Sequence, residues 1–114
     1  MTRTIYGQVP SKSNGYRTAG SRFYVRPDIR KYNQDFARQW VRADMITTEF
    51  ELTLKVWFRT DRSDLDGAFK AVLDNLQSVG AIKNDSLCVR IVAEKFVDKS
   101  SPRVELSIKK HNNE

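Results

Sequence analysis

The chain has 114 residues, which suits one compact domain and leaves little room for a second. A single cysteine, Cys88, excludes an intrachain disulfide, and no Cys/His cluster has the spacing of a zinc site. Lys and Arg total 20 against 14 Asp and Glu, and the resulting net charge of +6 favours a polyanionic partner.

In chain order, Thr4 to Val9 is the first strand candidate, followed by a polar Pro10–Ser21 loop and a short strand over Arg22–Val25. Pro27-Asp28 opens a helix running to about Arg42, with Ile29, Tyr32, Phe36 and Trp40 on one face. Phe50, Leu52, Leu54, Val56 and Phe58 alternate with more polar neighbours, the clearest strand in the chain. A second amphipathic helix spans Leu65–Ser78, and Gly80 ends it. Leu87–Phe96 and Val104–Ile108 are the last two strands. The whole chain, residues 1–114, therefore reads as one α+β domain, a mixed sheet with two helices packed on a face. Cys88 sits in an apolar run as a small core residue, and His111 lies in a polar tail. No signal peptide or membrane-length apolar run is present, so a cytoplasmic protein without a membrane partner is expected.

Candidate chemistry concentrates in Asp64-Leu65-Asp66-Gly67-Ala68-Phe69-Lys70, where a buried strand hands over to a helix. Leu65 faces the core, which lets Asp64 and Asp66 project together toward solvent. Carboxylate oxygens suit hard cations such as Mg²⁺ or Mn²⁺. Lys70 follows Asp66 by one helical turn on the same face. Asp85 precedes the next strand, and pairing of that strand beside Phe50–Phe58 is expected to return it toward the other two acids. Three converging carboxylates repel one another unless a cation is bound. Each residue also has a plainer reading: Asp66 as a helix cap, Asp64 as a turn residue, and Asp66–Lys70–Asp74 as exposed pairs. A calcium loop fits poorly, because aligning its glycine with Gly67 puts Arg62 and Leu73 at the first and last ligand positions.

These residues resemble the RusA family of Holliday junction resolvases. The pattern is an acidic D-L-D motif (Asp64-Leu65-Asp66), a Lys four residues on (Lys70), an acid in the same helix (Asp74) and an acidic position before the next strand (Asn84-Asp85). Lys70-Ala71-Val72-Leu73-Asp74-Asn75-Leu76 is similar to the family's helix. Val9-Pro10-Ser11-Lys12-Ser13-Asn14 is similar to its first loop, and Arg103–Ile108 to its closing strand. Gly67 stands where the family has Asn, and Asn84 where it has an acid.

The resemblance implies a Mg²⁺-dependent endodeoxyribonuclease, a homodimer, that resolves four-way DNA junctions in recombination and repair by paired nicks. It implies that Asp64, Asp66 and Asp85 are metal ligands and that Lys70 contacts the phosphate. Basic residues beside the motif and in the first loop, with the neutral Asn14, are the expected DNA contacts: Lys12, Asn14 and Arg17, then Arg59, Arg62 and Lys83. The alternative reading is a basic DNA-binding protein with a degenerate site, carried by Gly67 and Asn84.

Overall fold

The computed structural model describes residues 2–10, 16–19 and 22–111, with side chains described for 2–10 and 26–111. The elements run β1 (Thr2–Tyr6), β2 (Tyr16–Ala19), β3 (Arg22–Val25), α1 (Pro27–Gln39), β4 (Phe50–Phe58), α2 (Leu65–Ser78), a 3₁₀ turn (Asp85–Leu87), β5 (Cys88–Val97) and β6 (Arg103–Lys110). Four strands form one sheet in the order β1-β6-β4-β5, while β2 and β3 pair as a separate hairpin. The sheet is mixed: β6 is antiparallel to β1 and β4, and β5 is parallel to β4.

The alternation in β4 turns Phe50, Leu52, Leu54, Val56 and Phe58 into the core, where all five are buried. Val104, Leu106 and Ile108 of β6 and Ile5 of β1 continue the same face. Ala68, Ala71, Val72 and Leu76 of α2, with Tyr32 and Phe36 of α1, complete the cluster. Each large apolar side chain so buried contributes roughly 1.5–3 kcal/mol. Asn75 is the buried polar residue of this region, and its Nδ2 donates to Asn33 Oδ1 at 3.0 Å and to Ala71 O at 2.8 Å, tying α2 to α1.

Three expectations need adjustment. The Pro10–Ser21 stretch is not wholly loop, because Tyr16–Ala19 pairs antiparallel with Arg22–Val25. Its strand carries no apolar alternation, and pairing with β3 supplies what its own pattern lacks. Helix α1 stops at Gln39 rather than near Arg42, with Trp40 already extended. Arg3 intervenes there: its guanidinium donates to Val41 O at 2.6 Å and lies 4.6 Å from the Trp40 ring centre. Cys88 is half-buried against the core rather than within it, and burial pushes its thiol pKa up.

Parallel strands need a long crossover, and α2 provides it between β4 and β5. Phe50 lies beside Cys88 and Phe58 beside Val97. The residues leaving β4 and those entering β5 are therefore at opposite ends of the sheet. Gly80, with φ of 78°, turns the chain after α2 in the left-handed region that favours glycine.

Candidate active site

Asp64 caps α2. Its Oδ1 accepts the backbone N–H of Asp66 at 3.1 Å, the Asp–x–N–H geometry of a helix N-cap. The cap is thus Asp64 rather than Asp66. Asp66 sits in the first turn, where a carboxylate is favoured by the helix dipole. The cap uses one oxygen of Asp64, and both Asp64 and Asp66 are exposed to solvent. Two such groups suit Mg²⁺, which keeps several waters and takes one or two carboxylates. Lys70 lies one turn along from Asp66 and is also exposed.

Arg59 and Arg62 lie in the segment joining β4 to α2, exposed beside Asp64. Their backbone N–H groups are held by Gln8 Oε1 at 3.0 Å and Thr60 Oγ1 at 3.4 Å. Lys95 Nζ donates to the carbonyl of Asp61, fastening the same segment to β5. The acids, Lys70 and these two arginines therefore gather at the carboxyl end of β4. In open α/β sheets this is the end where ligands bind.

Asp85 is elsewhere. Its backbone N–H donates to Gln77 Oε1 at 3.0 Å, at the far end of α2. Gln77 follows Asp66 by eleven helical steps, roughly 16 Å at 1.5 Å per residue. Asn84 caps the 3₁₀ turn that begins at Asp85 by accepting from Ser86 N–H at 2.9 Å. Lys83 is exposed beside it. The return of Asp85 to the other acids within one chain, expected from strand pairing, does not occur: β5 does pair with β4, but parallel. Among the described residues no three His, Cys, Asp or Glu side chains form a metal-holding group. One chain thus places two exposed carboxylates, Asp64 and Asp66, at one end of α2 and Asp85 at the other.

Lys12 and Asn14 lie outside the described residues, as does the side chain of Arg17 in β2. His111, expected in a polar tail, follows β6 directly and is tied to the start of β4: its N–H donates to Glu49 O at 2.9 Å, and Nδ1 lies 3.3 Å from Glu51 Oε2. No described helix is long and apolar enough to cross a membrane.

Sequence reasoning assigned Tyr32 to the core face of α1 and passed over Gln8. Both line a cavity of about 800 Å³ beside Asp64, with Phe58, Arg59 and Arg62. Among the described residues the Tyr32 hydroxyl, itself fully buried, has no hydrogen-bond partner. Nothing in the periodicity distinguishes such a tyrosine from an ordinary core aromatic.

The comparison with curated proteins yields no match. The family model described as endodeoxyribonuclease RusA matches residues 6–109, a span that includes β4, α2 and every acid of the motif. The chain belongs to the RusA endodeoxyribonuclease family.

Proposed function

We propose that this protein is a divalent-metal-dependent endodeoxyribonuclease that resolves four-way DNA junctions in recombination and repair, acting as a two-fold dimer in the cytoplasm. The observation that carries the reading is the pair of exposed carboxylates, Asp64 and Asp66, at the N-terminus of α2 beside two arginines. Asp64 and Asp66 would hold Mg²⁺ or Mn²⁺. A bound divalent ion supplies Lewis acidity toward a phosphoryl oxygen. The chain's own groups do the rest. The first turn of α2 offers backbone N–H groups and a positive dipole end to a phosphate. Arg59 and Arg62 position the backbone without reading sequence. Lys70 meets a non-bridging oxygen as a point charge.

The separation of Asp85 from the other acids supports a dimeric site. Among the described residues the outer edge of β5 is unpaired in the sheet, and the strand carries the exposed Val89, Val92 and Val97. An exposed edge with apolar residues invites pairing. Two β5 edges paired antiparallel about a two-fold axis would set the Asp85 end of one chain beside the Asp64 end of its partner. Lys83 would travel with Asp85 and join Arg59 and Arg62. Each half of the dimer would then serve one strand of the junction.

The test incubates a labelled four-way junction, a fork and a linear duplex with Mg²⁺ or Mn²⁺, using the wild type and Asp66→Asn. Paired nicks on the junction, lost in the variant while binding persists, are expected. Binding without metal-dependent cleavage would establish the degenerate, DNA-binding alternative instead. Equal cleavage of all three substrates would remove junction selectivity and leave the nuclease.

A further inference from the structure

We infer that Lys95 is a positioning residue for this site: it holds the Arg59–Arg62 segment through the carbonyl of Asp61 and acts on the substrate only through that segment. The inference rests on the reading that Arg59 and Arg62 contact DNA phosphates.

Lys95 is out of pattern on its strand. Alternate residues of a strand share a face, and Lys95 shares its face of β5 with Ile91 and Ala93, which pack against the core. Its partner across the ladder is Val56 of β4, which is buried. The lysine is instead exposed, and its Nζ donates to Asp61 O in the segment leaving β4. The anchor is firm there. Phe96, the next residue, stacks on Trp57 with ring centres 4.9 Å apart, and Asp98 N–H donates to Phe58 O at 2.7 Å. Strands β4 and β5 thus stay paired up to the point where the segment departs.

The segment has little else to fix it. Arg59, Thr60, Asp61 and Arg62 are all exposed, so burial does not hold them. Among the described residues, Arg59 to Ser63 make no backbone–backbone hydrogen bond. Thr60 Oγ1 accepts Arg62 N–H within the segment itself. The ties to other elements are Gln8 Oε1, which accepts Arg59 N–H on the β1 side, and Lys95 Nζ on the β5 side. The Gln8 tie is neutral and holds the first residue of the segment. The Lys95 tie falls between the two arginines, and an ammonium on a carbonyl is about twice as strong as a neutral pair. A shift of about 1 Å in a substrate-positioning group can cost about 100-fold in rate, so a tie at this point bears on cleavage although Lys95 itself need not touch DNA.

The test compares Lys95→Met, which keeps the stem and loses the donor, with Lys95→Arg, which keeps a cationic donor. Binding of a four-way junction is measured without metal over a range of salt, with and without Arg59→Ala and Arg62→Ala together in the same chain. With both arginines present, Lys95→Met is expected to lower the slope of log affinity against log salt by about one or more, because phosphate contacts are misplaced. With both arginines removed it is expected to change nothing, since effects that run through shared contacts do not add. An equal fall in both backgrounds would make Lys95 a phosphate contact in its own right, and no fall in either would make the tie idle; each result overturns the inference. In Mg²⁺, cleavage at saturating junction is expected to fall about tenfold or more in Lys95→Met and to stay within about twofold of wild type in Lys95→Arg. Wild-type turnover in Lys95→Met would overturn the inference. Melting temperature should hold in both variants, because the bond joins exposed groups; a fall of more than about 4 °C in Lys95→Met would mark a residue of the fold rather than of the site, and would overturn it too. A slope indifferent to the two arginines would remove the phosphate reading and the inference with it. A protein that shows the background-dependent slope and never cleaves would remove the nuclease reading and leave Lys95 its role.

Discussion

The backbone N–H of Asp85 donates to the Oε1 of Gln77 at 3.0 Å, which fastens Asp85 to the last turn of α2 while Asp64 caps the first. One helix thus carries an acidic group at each end, and the same helix is the crossover that makes β4 and β5 parallel. The arrangement divides the acids of the family pattern between two ends of one chain. It also divides the cations, with Arg59 and Arg62 at one end and Lys83 at the other.

Asp64 has a structural task as the cap of α2 and, on the proposed reading, a chemical one, and substitutions separate them. Asparagine caps a helix about as well as aspartate, whereas alanine at a cap costs about 1 kcal/mol. Asp64→Asn should therefore unfold in urea at close to the wild-type midpoint, and Asp64→Ala at a lower one. Both should lose junction cleavage. An active Asp64→Asn would remove this residue from the metal site.

On the proposed reading Arg59 and Arg62 contact phosphates, and their effect should appear in the salt dependence of binding. Each contact neutralised contributes about 0.9 to the slope of log affinity against log salt. Arg59→Ala and Arg62→Ala should each lower the slope by about one, with similar losses on every DNA sequence. An unchanged slope would show that the guanidinium group does not meet the backbone.

Acid stability has a local source at the β5–β6 turn. Arg103, 2.9 Å from Asp98, holds the Asp98 carboxyl below its ordinary pKa of 3.8, helped by the N–H groups of Ser101 and Ser100. A carboxylate whose pKa is lowered by folding stabilises above its unfolded value and loses that contribution as pH falls through the folded one. Melting temperature should thus fall below about pH 4 in the wild type, and Asp98→Asn should show a flatter curve over that window. Coincident acid limbs for the two proteins would contradict this assignment.

Asn75 joins the two helices from a buried position, 2% exposed. Asn75→Ala removes both its bonds and strands Asn33, a loss of about 1–3 kcal/mol. Chemical denaturation measures it directly, and a change within error would show the bond to be dispensable.

Much of the fold is legible because periodicity reports which side of an element is buried. The alternation over Phe50–Phe58 and the stripe from Leu65 to Leu76 both lead to the elements observed, down to the bounds of α2. The acid pair and Lys70 were legible for the same reason, since helix geometry fixes their spacing. The direction of strand pairing is different, being a relation between segments rather than a property of either. A helix between two strands was itself the signal for a parallel crossover. Reading it would have put Asp85 at the far end from Asp64. The hairpin strand Tyr16–Ala19 has no alternation to detect, and the orphaned hydroxyl of Tyr32 depends on neighbours from three segments.

The most direct test of the account mixes two inactive variants. Asp66→Asn and Asp85→Asn are each expected to be inert as homodimers. In a heterodimer built across a two-fold axis, one site carries both substitutions and the other carries neither. Co-refolding the two variants should therefore restore cleavage, seen as single nicks in the junction, at roughly a quarter of wild-type sites after random exchange. A mixture as inert as its components, or an Asp85→Asn homodimer that cleaves by itself, would contradict a site shared between two chains.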